Sequence, residues 1–429
     1  MTQIPIDDDE KAMTEGSPKE GGRGPSVYDV AMEKFPGRQI LKDIGLNSYR
    51  FSISWSRILP KGTLSGGVNQ EGIDHYSNLI DELLKNGIKP FVSLLHFDLP
   101  QGLEDKYMSL LCRSFIDDFK DYSKICFKNF GDRVKKWMTF NEPSGMAGRG
   151  YEFGIAPPFR CSYPAKPYMG GNSSTEPYIV GHNIILAHAA AVRLYREKYQ
   201  VNHMSEFGMV LEASYFKPNT SSVEDKAAAQ RSRDFLIGWY AEPLIFGDYP
   251  KSMGDLVKKR LPIFSEEEKK MIKGTMDFIG INYYTSTYAA NAPPPKQYPS
   301  HSVDLLLTTN STRNGVPIGP LAPGSGFVYI YPQVLQKLLE NLKKRYQNPK
   351  IYITENATTS PAGSPAGSPS GSPKSSAIAS PSGSPVGSPG PSGTGANAKS
   401  SAGSSIKLSI SHLFFHTCAA TVASTFTTY

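Results

Sequence analysis

From Ser48 to Glu355 short β-rich apolar runs alternate with amphipathic helical stretches, and this alternation restricts the fold more than any other feature of the chain. Six runs read as strands: 48–55, 90–97, 134–141, 207–215, 277–284 and 350–354. Strands separated by helices are joined by crossovers rather than by hairpins, so they lie parallel with helices covering them. The expectation is an α/β fold built as one large domain with tails, since single α/β barrels commonly exceed 250 residues.

The intervening stretches carry helical periodicity. Tyr76, Leu79, Ile80, Leu83 and Leu84 form one apolar face, closed by Asn86-Gly87. Phe115, Phe119, Tyr122 and Cys126 form the next, with Gly131 ending that helix and Cys126 expected as a buried thiol. Ser174-Thr175-Glu176-Pro177 reads as the start of a long helix to about Tyr199. His182 and His188 ride on it and are read as packing or surface groups rather than catalysts. Two more helices are expected, over 225–239 and 333–346.

Composition excludes several functions. The net charge is +7, but its cations are scattered among Asp and Glu and form no arginine-rich block, which argues against nucleic-acid binding. Cys112, Cys126, Cys161 and Cys418 include no Cys-x-x-Cys, and no His pair has ligand spacing, so neither metal nor dithiol chemistry is expected and no cofactor is implied. The first 21 residues read as a disordered acidic leader without the apolar core of a secretory signal. Asn-x-Ser/Thr sequons at Asn172, Asn219, Asn310 and Asn356 matter only in a secreted protein, and the compartment stays open. Residues 359–405 are almost wholly Ser, Pro, Gly and Ala, a composition that cannot bury a core. Residues 406–429 are mildly apolar, too polar for a membrane span and only weakly like a lipid-anchor signal.

Chemistry concentrates at two strand ends, Glu142 in Thr139-Phe140-Asn141-Glu142-Pro143 and Glu355 in Ile353-Thr354-Glu355-Asn356. The C-terminal ends of parallel barrel strands are where catalytic groups project, and a carboxyl pair is the equipment for breaking a glycosidic bond. Either Glu could instead cap a helix or pair with a base.

With these motifs the sequence resembles the plant β-glucosidases of glycoside hydrolase family 1. The resemblance rests on Tyr49-Arg50-Phe51-Ser52-Ile53-Ser54-Trp55-Ser56-Arg57, His96 in Leu94-Leu95-His96-Phe97-Asp98, the Glu142 motif, Asn282-Tyr283-Tyr284 and the Glu355 motif. It implies a (β/α)8 TIM barrel over 22–358 and a small-molecule β-glucoside as substrate. It implies Glu355 as nucleophile and Glu142 as acid/base, the carboxyls about 5 to 5.5 Å apart, as retention of configuration requires. Tyr284 would hydrogen-bond the nucleophile and Arg50 keep it ionised. Asn141 would contact the sugar 2-hydroxyl, His96 would donate to glycone hydroxyls, and Asn282 would support them.

Departures from the family pattern set further expectations. The first and eighth strands, the glycone-binding glutamine of the one and the glutamate and tryptophans near the other are not found; the first helix is short, and Ala357 replaces a usual glycine. Cys161 lacks the nearby partner of the family's loop disulfide. An incomplete barrel has an open seam, so the chain is expected to be a truncated relative with impaired activity. The other reading is a non-catalytic carbohydrate-binding or interaction protein. Glycone preference, aglycone and oligomeric state stay open.

Overall fold

The computed structural model describes residues 45–162, 170–294, 299–323 and 325–356. The leader, Ala357, the Ser-Pro-Gly segment, the terminal stretch and the two strands read as missing fall outside these residues.

The strands are β1 (Ser48–Ser52), β2 (Lys89–Leu95), β3 (Lys136–Asn141), β4 (Glu206–Pro218), β5 (Phe278–Asn291), β6 (Leu307–Asn310), a hairpin of β7 (Thr312–Arg313) and β8 (Val316–Pro317), and β9 (Lys350–Asn356). Six of them correspond to the six runs read from the sequence. These six pair in parallel in the order β1-β2-β3-β4-β5-β9, while β6 adds antiparallel to the far end of β5.

The sheet is strongly curled. Phe91 on β2 and Tyr352 on β9 are separated by three strands along the sheet, yet their rings meet edge to face at 5.3 Å. Arg50 on β1 and Glu355 on β9, at the two ends of the parallel path, are 2.5 Å apart. Only a sheet bent most of the way into a cylinder brings these side chains together, as expected of an incomplete (β/α)8 barrel. Phe91, Met138, Val210, Phe278 and Tyr352, one from each of five strands, fill the concave side as a small apolar cluster.

On the convex side the helices bury the larger core. The principal ones are α1 (Gln70–Lys85), α2 (Ser114–Phe130), α3 (Pro143–Tyr151), α4 (Glu176–Lys198), α5 (Val223–Arg233) and α6 (Gln333–Arg345). The face of α2 is buried as its spacing implies: Phe119 stacks on Phe140 of β3 at 4.5 Å, Tyr122 lies flat on Trp55 at 4.7 Å, and Cys126 is a buried thiol. The Tyr122 hydroxyl donates to the carbonyls of Ile53 and Leu94, tying the helix to β2 and to the segment after β1.

Helix α4 is buried over most of its length because it packs against α2 and α3. His188 lies wholly inside. Its Nε2 faces the Thr275 carbonyl at 3.0 Å and must donate there, so Nδ1 accepts from the Thr139 hydroxyl at 2.7 Å. Burial pushes its pKa down to about 3, and the ring is neutral. His182, also buried, meets the Tyr249 hydroxyl. Both histidines are packing groups. The helix expected over 225–239 is broken by a wider turn, Asp234–Gly238, and resumes as Trp239–Phe246. Asp234 is held there by Arg345 and Ser252, tertiary partners that local periodicity does not reveal, and by Gln230 one turn earlier. Among the described residues no helix is long and apolar enough to cross a membrane.

Candidate active site

The site lies at the C-terminal ends of the parallel strands and is shaped by two irregularities. Between β5 and β9 the register runs Ile281↔Ile353 and then Asn282↔Glu355, so Thr354 is an extra residue. Such a bulge re-aims side chains. Here it brings Thr354 and Glu355 together to one place: the Thr354 hydroxyl donates to Asn282 Oδ1 at 2.6 Å while Glu355 sits opposite Asn282.

The second irregularity is at the end of β3, where Met138 pairs with Gly208 but Asn141 with Val210. Glu142 follows with φ 45°, in the left-handed region, its N–H donating to the Val210 carbonyl at 2.9 Å. Pro143 disfavours right-handed helical backbone in the residue before it and suits the first turn of α3, so strand and helix meet at the carboxylate. Left-handed backbone in a side chain of this size is a strained state of the kind found at functional sites.

A continuous hydrogen-bonded network joins the two glutamates. Arg50 donates from Nη1 to Glu355 Oε1 at 2.5 Å and from Nη2 to Asn141 Oδ1 at 2.6 Å. Asn282 Nδ2 donates to Asn141 Oδ1 at 3.2 Å and to Glu142 Oε1 at 2.9 Å. Tyr284 gives its hydroxyl to Glu355 Oε2, and Asn141 Nδ2 meets His96 Nε2 at 3.0 Å. All seven residues singled out from the sequence, Arg50, His96, Asn141, Glu142, Asn282, Tyr284 and Glu355, therefore meet in one network.

The sequence matches the profile of glycosyl hydrolase family 1 over residues 13–364. The chain belongs to glycosyl hydrolase family 1. A furostanol glycoside 26-O-beta-glucosidase of Hellenia speciosa is 50% identical over 371 residues, covering 80% of this chain and 65% of that protein. A cyanogenic beta-glucosidase of Trifolium repens is 47% identical, covering 81% of this chain and 87% of its own. Among solved structures, a rice β-glucosidase superposes with a TM-score of 0.75 at 41% identity, covering 81% of this chain and 78% of that one. The β-glucosidase of the fungus Humicola insolens, in complex with glucose, gives 0.74 at 39%, covering 80% and 76%.

In this family 1 member the two carboxyls sit in opposed electrostatic environments. Burial drives the Glu142 pKa up to about 8, aided by the negative charges of Glu212 and Glu355 and opposed by Arg149 and the Asn282 hydrogen bond. Burial also acts to raise the pKa of Glu355, but Arg50, His96 and the Tyr284 hydrogen bond outweigh it and hold the group below the ordinary carboxylate range. At neutral pH one carboxyl is a proton donor and the other an anion.

Three further contributors escape a reading of the sequence. Thr354 fixes Asn282 from the bulge. Arg149 approaches Glu142 Oε2 at 3.4 Å and Glu212 Oε2 at 3.5 Å. The available signal was their position: Glu212 follows Val210 by two on β4, and Arg149 lies two helical turns after Glu142. Cys161, whose pairing was in question, is buried and free. Among the described residues no cluster could hold a metal ion.

Proposed function

We propose that the chain is a retaining β-glucosidase, hydrolysing terminal non-reducing β-D-glucosyl residues of small-molecule glucosides by double displacement. The observation that carries the proposal is the opposed protonation of two carboxyls joined through one network, the division of labour the reaction needs. The β-glucosidase relatives support the choice of glycone. A carbohydrate-binding role has no use for a carboxyl kept protonated to about pH 8 beside an ionised one.

In the first step the Glu355 carboxylate attacks the anomeric carbon, and Glu142 delivers its proton to the departing glycosidic oxygen. The glucosyl ester leaves Glu355 without charge. That removes one of the influences raising the Glu142 pKa, so the newly deprotonated Glu142 is a better-matched base toward water. Hydrolysis of the ester returns the proton to Glu142 and the charge to Glu355. Asn141, held by Arg50, Asn282 and His96, presents its amide to the sugar, and His96 serves glycone hydroxyls.

Turnover of an aryl β-glucoside followed by proton NMR tests this reading. The first product formed should be β-glucose, with Glu355→Ala inactive. Formation of α-glucose first, or undiminished turnover by Glu355→Ala, would refute it.

A further inference from the structure

Arg149 and Glu212 belong to neither carboxyl's hydrogen-bond network through Asn282, yet their charges converge on Glu142 from two different elements. We infer that this pair is a positioning device that sets the ionisation and the orientation of Glu142, a deepening that rests on the reading of Glu142 as the proton donor.

The backbone supplies the geometry. In parallel strands, residues in register project to the same face. Glu212 on β4 is in register with Asn282 on β5, and Asn282 with Glu355 on β9, so an acidic group stands on either side of Asn282. Glu212 is therefore built into the same face as the network.

Helix α3 brings the counter-charge. Arg149 lies seven residues beyond Glu142, two helical turns away, so its guanidinium must reach back along the helix. Gly145 leaves the room: a Cβ there would stand 3.3 Å from Arg149 Cζ. The guanidinium also lies over the Phe97 ring, 5.7 Å from its centre, which limits its swing. From this position it meets Glu142 Oε2, while Asn282 holds Oε1. The carboxyl is gripped at both oxygens.

The charged groups acting on Glu142 are Glu212 from β4, Glu355 from β9 and Arg149 from α3, while Arg50 pairs with Glu355, Tyr284 donates to it, and His96, in contact with Asn141, lends it positive charge. Glu355 is paired with Arg50, whereas Arg149 and Glu212 contact one another beside Glu142. They oppose one another. Glu212 favours the protonated acid, Arg149 the anion, and Arg149 Nη2 is shared between them, 3.4 Å from Glu142 Oε2 and 3.5 Å from Glu212 Oε2. Loss of Glu212 then acts twice in one direction, removing a like charge and releasing Arg149 onto Glu142. Loss of Arg149 acts in the other direction, removing the cation that favours the Glu142 anion.

The test is a carbon-13 NMR titration of the protein labelled at the glutamate side-chain carboxyl carbon, with the Glu142 resonance assigned by its loss in Glu142→Gln. This readout needs no turnover, so it stands apart from the proposed reaction. Relative to the parent, Glu212→Gln should lower the Glu142 midpoint by roughly one pH unit or more, and Arg149→Met should raise it by a similar amount. Arg149→Lys should restore most of the parent value, and the double variant should fall between the two single ones. If Glu212→Gln does not fold, Arg149→Met with its Lys rescue decides the matter alone. Midpoints unmoved in the folded variants, with only thermal stability reduced, would make the pair a tether between α3 and β4 and overturn the inference. Shifted midpoints in a protein that turns over no glucoside would leave the inference standing and remove the proposed reaction.

Discussion

Glutamate has one intrinsic acidity, so the contrast between Glu142 and Glu355 is imposed by neighbours. Glu142 is buried near two other carboxylates, and Glu355 is buried against a guanidinium and a phenol. The proposed reaction needs Glu142 protonated and Glu355 ionised. Activity should therefore fall as pH rises through about 8 and fall again as pH drops through the depressed Glu355 value. A kcat/KM profile against pH on an aryl glucoside checks both limbs. Tyr284→Phe removes a hydrogen bond to a charged group, worth about 1.5–3 kcal/mol, so kcat/KM should drop at least about tenfold. Its acidic limb should move to higher pH, because the bond stabilises the ionised form. Glu142→Gln should cut kcat/KM roughly 10²–10⁴-fold on glucosides with basic leaving groups, and much less in the glucosylation step when the leaving group is an activated phenolate.

At the scale of elements, the sequence announces strands and helices well because burial is written into their apolar pattern, on one face of a helix such as α2 and on both faces of strands such as β2 and β3. The α2 face and the six strand runs were legible for this reason, and so was the placement of Glu142 and Glu355 at strand ends. The bulge at Thr354 was not, since an extra residue is defined only against the partner strand. The Glu212 contact was hidden likewise: it depends on the β4–β5 register and on the reach of a side chain from α3. Close approach of elements makes its own prediction. Gly181 of α4 would place a Cβ 2.5 Å from the buried Trp239 ring, so Gly181→Ala should cost about 1–3 kcal/mol in denaturant unfolding. His188, between α4 and β3, gives a pH signature. Its folded pKa of about 3 lies below the ordinary value of 6.5, so the unfolded chain takes up the proton first. Stability present above pH 6.5 should be lost as pH falls toward 3, by up to about 1.4 kcal/mol per pH unit from this group. A variant lacking the imidazole, His188→Asn, should show a shallower slope in that window even if less stable throughout.

For the molecule as a whole, the curl of the sheet makes the site. Arg50 and Glu355 stand at opposite ends of the parallel path and meet only because the path bends round. Arg50 also reaches Asn141 on β3, so one forked side chain coordinates three strands. Arg50→Lys keeps the charge but not the fork; it should reduce kcat/KM on an aryl glucoside more than it lowers the melting temperature. The sequence motifs foretold which residues assemble and that Arg50 and Tyr284 keep Glu355 ionised beside a protonated Glu142, whereas the leading part of burial and the share of Glu212 in raising Glu142 came from the three-dimensional arrangement. The direct test is trapping. The purified chain is incubated with an activated 2-deoxy-2-fluoro-β-glucoside, and its peptides are then mapped by mass spectrometry. The account predicts one fluoroglucosyl group per chain, on Glu355 and absent from Glu355→Ala. A folded protein that stays unlabelled, or carries the group on another residue, would contradict it.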